Sequence, residues 1–358
     1  MMGFSDFFDA LAPYIPHILL GCVALSLVLY TVLDGFDLGV GVLSLFERDG
    51  ERREEMMESI ATVWDGNESW LVLLGAILFA GFPLVFGVVL PALYIPLILM
   101  LVFLTFRGIA FEFQVQHDRH SLLWGYSFAL GSLGAAFFQG VALGAFMDGL
   151  SFSEDTFTGG AFDFVSPLSL ATGLLLTALY TVSGAGWLVY KSEGELLASV
   201  RRWGKRSVPV AVALAAVTVG LTLAYSPAAE GLLEGGFTVE NALIFGSFGL
   251  AVAALGAAYF TLGGRDDLRT LGLAALATVG LAGGFLAMVY PNVILPGVTM
   301  QEAVAPESSA WLLLFVIVPL IPVTVAYNAV AYYLFRGKTE THHHKENEEN
   351  PETSTQGG

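Results

Sequence analysis

The sequence predicts an all-α integral membrane protein with nine transmembrane helices, and three observations carry that expectation. The chain has 358 residues, of which 55% are hydrophobic and only 13% charged, whereas a soluble domain carries about 25% charged residues. Apolar stretches long enough to cross a hydrocarbon core about 30 Å thick recur to the end of the chain, and the mean hydropathy is +0.71. Finally, the basic residues are segregated. Every Lys and Arg follows an odd-numbered apolar stretch, while the intervening loops are acidic.

The expected spans cover about 16–46, 68–90, 92–111, 122–147, 166–190, 208–226, 240–262, 270–290 and 309–335. The first has no basic n-region or small-residue cleavage site before it, so it reads as an insertion signal rather than a cleaved leader. The second and third are separated by a tight turn before Pro91. The last contains Pro319 and Pro322, which imply a kink. Between the eighth and ninth, Tyr290-Pro-Asn-Val-Ile-Leu-Pro296 makes a turn. The basic groups are Arg48, Arg52 and Arg53; Arg107 and Arg119; Lys191, Arg201, Arg202, Lys205 and Arg206; Arg265 and Arg269; and Arg336, Lys338 and Lys345. The other loops carry Asp148, Glu154, Asp155, Asp163, Glu230, Glu234, Glu302 and Glu307. The positive-inside rule then places the N-terminus outside and the C-terminus in the cytoplasm. Residues 1–336 form a single membrane domain, and 337–358 form an acidic cytoplasmic tail whose composition predicts disorder.

A net charge of −17 argues against nucleic acid as a partner and fits a high-salt habitat. Cys22 is the single cysteine, which excludes an internal disulfide and any Cys-based cluster. His17 lies at the outer edge of the first span, His117 and His120 in a loop, and His342, His343 and His344 in the tail, so no histidine lies deep enough for an embedded b-type haem. Met100, Met147 and Met288 read as packing.

The first span nevertheless holds two acids among glycines, in Thr31-Val-Leu-Asp-Gly-Phe-Asp-Leu-Gly-Val-Gly41. Asp34 and Asp37 share one helix face, with Asp34 near the midplane. An acid at that depth is costly and marks a functional site. No basic residue is expected to reach Asp34, which must then be protonated, hydrated or paired with another subunit.

Trp64-Asp-Gly-Asn-Glu-Ser-Trp70 opens the second span. In one reading Asp65 is an N-cap, Asn67 and Glu68 satisfy first-turn amides, and Trp64 and Trp70 anchor at the interface. In the other, Asp65 and Glu68 form the cytoplasmic mouth of a carboxylate staircase leading to Asp37 and Asp34, as in a proton relay. Arg107, near the cytoplasmic end of the third span, is expected to pair with Glu112, to face an acid such as Asp65, or to snorkel to the interface. In the fourth span, Gly134, Gly140 and Gly144 suit close helix approach, and Gln139 needs buried partners.

Taken together, Asp34-Gly-Phe-Asp-Leu-Gly-Val-Gly41, Trp64-Asp-Gly-Asn67, Leu78-Phe-Ala-Gly-Phe-Pro83, Arg107-Gly, Phe111-Glu-Phe113, Gly140-Val-Ala-Leu-Gly144, Glu193-Gly-Glu195, Tyr290-Pro291 and Tyr333-Leu-Phe-Arg-Gly-Lys338 closely resemble subunit II of the cytochrome bd quinol oxidases. The resemblance runs in order along the chain before the tail. The departures are Glu68-Ser69, where the family often has Gln or Glu then Val, and the acidic surface. It implies two four-helix bundles plus a peripheral helix, pairing with a subunit I that holds the b- and d-type haems and the quinol site. No cofactor is expected on this chain. It further implies assembly support and a proton path through Asp34, Asp37 and Asp65, with Trp64 and Arg107 supporting. Quinol, oxygen, membrane lipid and a small accessory subunit are the other partners it suggests, in the plasma membrane of a prokaryote. Two other readings stand beside it: a cation-coupled secondary transporter, for which no inverted repeat is visible, and a purely structural subunit.

Overall fold

The structure, a computed structural model, describes residues 10–116, 122–230, 232, 238–264 and 268–339. Its helices are α1 (Ile15–Ser44), α2 (Gly50–Glu58), α3 (Trp64–Gly81), α4 (Pro83–Ala92), α5 (Tyr94–Gln116), α6 (Leu122–Met147), α7 (Pro167–Lys191), α8 (Gly194–Tyr225), α9 (Val239–Thr261), α10 (Arg269–Val289), α11 (Met300–Ala303) and α12 (Glu307–Leu334). Two short 3-10 turns (Ala12–Tyr14 and Pro227–Ala229) and two short antiparallel hairpins complete the regular elements among the described residues. One pairs β1 (Phe152–Ser153) with β2 (Thr156–Phe157), and the other pairs β3 (Asn292–Ile294) with β4 (Val298–Thr299), in the turn expected after Tyr290. Among the described residues, eight helices are long and apolar enough to cross a membrane. The predicted tail beyond Thr339, and the loop carrying His117, Arg119 and His120, lie outside the described residues.

The expected second span, 68–90, is instead two consecutive helices. Steric conflict with a following proline drives a residue out of the helical region, and Phe82 before Pro83 accordingly sits at φ −135°, ψ 68°. Pro83 then opens α4, where its missing N–H costs nothing. The carbonyl of Gly81 accepts a hydrogen bond from the backbone of Ala305 at 2.9 Å, so the break leaves it satisfied. The turn into α5 is at Leu93 rather than before Pro91, which lies within α4. At the other extreme, α8 starts at Gly194, well before the expected 208, because the basic segment Arg201–Arg206 is helical despite Gly204.

The central element is α1, which packs against α3, α6, α7 and α10. Its seam with α7 is a contact of backbone on backbone. A Cβ on Gly39 would fall 1.7 Å from the Tyr180 carbonyl oxygen, and one on Gly184 2.3 Å from the Gly39 carbonyl carbon. The glycines expected to pack do so: Gly140 and Gly144 meet the α7 backbone and Gly134 meets the Phe103 ring. Helices α7 to α10 pack in sequence along the chain, α5 lies on α6, and α12 rests mainly on α3.

Past its last turn, α1 is tied to the following loop. Buried Arg53 donates to the carbonyls of Ser44 at 3.3 Å and Glu47 at 2.5 Å, meeting carbonyls that a helix end leaves open. Asp49 caps α2 by accepting from the Arg52 amide at 3.1 Å, and Arg52 also bridges Glu47 and Glu195. The last described residues are strapped to the end of α7. Lys191 Nζ donates to Phe335 O at 2.6 Å, Lys338 Nζ to Ser192 O at 2.8 Å, and the Thr339 amide to Lys191 O at 3.0 Å.

Candidate functional site: a buried acid cluster around Arg107

Asp34 and Asp37 are both 0% exposed, but Asp34 has a cation within this chain. Arg107 Nη2, itself 0% exposed, donates to Asp34 Oδ1 at 2.8 Å and also to Glu68 Oε1. The expectation that no basic residue reaches Asp34 is therefore wrong. It assumed that the third span ended at 111, which put Arg107 near the boundary. Helix α5 runs on to Gln116, which places Arg107 about 14 Å inside its end, and Asp34 lies about 15 Å inside the end of α1 at 1.5 Å per residue. The two therefore sit at matching depth.

Two features hold Arg107 in place. Its guanidinium carbon lies 5.8 Å from the Trp64 ring, which in turn stacks on Phe111 at 5.0 Å and 5°. Gly131 lets α6 press against the α5 backbone there, since a Cβ would fall 2.8 Å from the Arg107 amide nitrogen. Of the expected roles for Arg107, facing an acid holds, with Asp34 and Glu68 in place of Asp65, which is exposed on the first turn of α3. Snorkelling and pairing with Glu112 do not hold, since Arg107 is fully buried and Glu112 is exposed.

Asp37 is held by an amide instead of a cation. Asn67 Nδ2 donates to Asp37 Oδ2 at 2.7 Å, and the Tyr332 hydroxyl, arriving from α12, donates to Asn67 Oδ1 at 2.8 Å. The capping interpretation of this motif is overturned as well. Val63 precedes the helix without a side-chain cap, and Asn67 points into the acid cluster. Trp70, expected at the interface, is fully buried in the core. Glu68 is the member that opens outward, with its side chain 26% exposed.

Gln139 is buried with neither amide atom hydrogen-bonded, next to the Tyr180 hydroxyl. Tyr332, Tyr30 and Tyr180 were not singled out in the sequence, because a tyrosine in an apolar span carries no motif. Only their spacing relative to Asp34 and the fold bring them to the cluster. The cluster pairs three carboxylates with one guanidinium. Asp34 and Glu68 bond the same nitrogen, so their oxygens lie within about 6 Å of each other, the span of two hydrogen bonds. One water can bridge that distance.

As for metals and haem, no group of three or more His, Cys, Asp and Glu among the described residues is placed to hold a metal ion. His17 is exposed on the first turn of α1, and Cys22 is buried. The donors that converge in the interior are carboxylate, guanidinium, amide and phenol, a set suited to holding and passing protons.

Comparison with known proteins places the chain among relatives. The chain is 34% identical over 182 residues to the cytochrome bd-I ubiquinol oxidase subunit 2 of Escherichia coli K12, a match spanning 49% of this chain and about half (48%) of that relative. It is 25% identical over 338 residues to the cytochrome bd ubiquinol oxidase subunit 2 of Bacillus subtilis 168, covering 90% of this chain and 96% of the relative. Its fold matches a chain of the bd oxidase from Geobacillus thermodenitrificans with a TM-score of 0.71 at 18% identity, over 90% of this chain and 98% of the other. With the profile of the cytochrome bd terminal oxidase subunit II matching residues 15–335, the chain belongs to that family.

Proposed function

We propose that this chain serves as subunit II of a cytochrome bd-type quinol:oxygen oxidoreductase of the respiratory chain, in the plasma membrane of a prokaryote. Subunit I carries the b- and d-type haems, oxidises quinol and reduces oxygen to water, and this chain supports its assembly and supplies protons from the cytoplasm. In this reading α3 and α4 together make the second of nine spans, the N-terminus is outside, and α12 is the peripheral helix beside two four-helix bundles. Residues 1–336 are one membrane domain, followed by a cytoplasmic tail.

The observation that carries the proposal is the shared nitrogen of Arg107. Glu68 is partly exposed and Asp34 is fully buried, yet both bond one atom. A proton taken up at Glu68 or its exposed neighbour Asp65 has a bridged step to Asp34, and Asp37 lies one turn away on the same helix face. With three carboxylates against one cation, full ionisation would leave uncompensated negative charge in a low-dielectric core, so the cluster has room for exchangeable protons. Trp64 and Arg107 position the acids.

The test is Asp34→Asn in the complex purified with subunit I. Haem content should be retained while quinol-driven oxygen consumption falls; Asp65→Asn should be milder, because Glu68 and surface water substitute for it. An Asp34→Asn complex with full haem and wild-type turnover would show that the acids do not carry protons in turnover. A second experiment addresses the division of labour. The chain expressed alone should purify without a Soret band, and a stoichiometric haem lost in His17→Ala would overturn it.

A further inference from the structure

Polar groups continue past Asp34, away from Glu68. On α1, Ser26, Tyr30 and Asp34 follow at four-residue spacing, which sets them in one line along a helix face, and each is at most 1% exposed. From the facing helices come Tyr180 on α7, 0% exposed, and Gln139 on α6, 5% exposed. Gly35 makes the room: a Cβ there would fall 2.5 Å from the Tyr180 ring. The Tyr30 hydroxyl lies beside the Asp34 carboxylate, and the Tyr180 hydroxyl beside the Gln139 amide and near Tyr30. These neighbours do not reach hydrogen-bonding geometry. Ser26 Oγ, Tyr30 Oη, Asp34 Oδ2, Tyr180 Oη and both amide atoms of Gln139 have no partner.

Unsatisfied buried groups are few in a folded protein, and those of Tyr30, Asp34, Tyr180 and Gln139, gathered in one place, call for a common partner. Each of them is a donor or acceptor suited to water, and buried polar sites of this kind hold water through two to four such contacts. The line from Asp34 to Ser26 spans eight residues, about 12 Å along the helix, toward the N-terminal end of α1.

We propose that Tyr30, Tyr180 and Gln139 enclose a water-holding compartment beside Asp34, and that the tyrosine hydroxyls and this water carry the proton onward from Asp34 toward the N-terminal end of α1. This rests on the relay reading given above and extends it. The step balances by exchange: the O–H bond at Asp34 breaks as one forms at water, and each hydroxyl along the line accepts a proton on its oxygen and releases its own. Gln139 holds the water and does not itself exchange a proton in the transfer.

The test compares Tyr30→Phe, Tyr180→Phe, their double variant and Gln139→Leu with Asp34→Asn, all in the complex with subunit I and with haem content measured for each. The readouts are oxygen consumption, its solvent deuterium isotope effect, and the infrared O–H stretching bands of bound water, assigned by H₂¹⁸O exchange. The phenylalanine variants should keep their haem and lose turnover by about tenfold. That is less than the roughly 100-fold supplied by a positioned acid or base, because remaining water fills part of the gap. They should also change the isotope effect, and Gln139→Leu should remove bound-water bands. If Asp34→Asn is slow while the tyrosine double variant keeps wild-type turnover and isotope effect, the onward compartment is refuted and the relay as far as Asp34 stands. If Asp34→Asn turns over like the wild type, the relay fails and this extension fails with it.

Discussion

Removing Arg107 should do more damage than removing either the cation and Asp34 together or Asp34 alone. At 2.8 Å, and with an effective dielectric constant near 20, the Arg107–Asp34 attraction is about 6 kcal/mol. Desolvation of two fully buried ions offsets most of this in the intact protein, but breaking such a pair from one side costs about 3–5 kcal/mol. That is a large fraction of the roughly 5–15 kcal/mol that holds a folded protein together. Arg107→Met fills similar volume and leaves Asp34 without its cation, while Glu68, with its outward opening, rehydrates. The double variant Arg107→Met/Asp34→Asn removes both charges, so its cost should fall well short of the single variant's. The assay is assembled complex per membrane mass, by haem content, together with the thermal unfolding midpoint in detergent. The order should be wild type, then the double variant, then Arg107→Met. An Arg107→Met protein that assembles and melts like the wild type, or a double variant no better than the single, would show that the pair is not an energetic unit.

Further expectations follow from the other contacts. Gly39→Val should abolish accumulation of the folded chain in membranes, because any β-carbon there collides with the Tyr180 carbonyl; immunoblotting of membranes checks this. Tyr332→Phe removes one hydrogen bond to Asn67, worth about 1 kcal/mol, and should lower the melting midpoint modestly with full haem retained. On α2, burial first, and then the charges of Glu58 and Glu193, push Glu55 from the ordinary 4.5 up to about 7, against Arg52 and Lys338. Its protonated form is thus favoured in the folded protein. The stability it contributes is full below pH 4.5 and is lost as pH rises through about 7. Hydrogen exchange across Gly50–Glu58 should quicken between pH 6 and 8 beyond the intrinsic rate, and Glu55→Gln should flatten that dependence.

The long apolar helices were legible because hydropathy is a property of composition along the line of the chain. The acids of the site were legible too, since charge at membrane depth is conspicuous. What the sequence did not disclose were partners distant along the chain. Arg107 stands 73 residues from Asp34, and its depth depended on where α5 ends, a boundary that hydropathy blurred because the amphipathic turns after Phe111 remain helical. Asn67 was ambiguous for a local reason: near a helix start the same side chain suits the first-turn amides or the interior, and only the packing of α1 on α3 decides. The break at Phe82 was written in Phe82-Pro83, but an unbroken apolar run masked it. Tyr332 carried no signal of its own.

The wiring of the cluster also sets an order of completion during synthesis. Asp34 and Asp37 enter the membrane with the first helix, whereas Arg107 emerges 73 residues after Asp34 and Tyr332 265 residues after Asn67. At about 5–20 residues per second, Asp34 waits roughly 4–15 s for its cation. Asn67 waits roughly 13–53 s for the hydroxyl that fixes its amide. The nascent chain therefore carries its acids into the bilayer long before the groups that satisfy them exist, and the insertion machinery or bound water has to shelter them meanwhile. A chain that terminates anywhere before residue 332 leaves Asn67, and through it Asp37, without its final support, so the site is finished only when α12 is made.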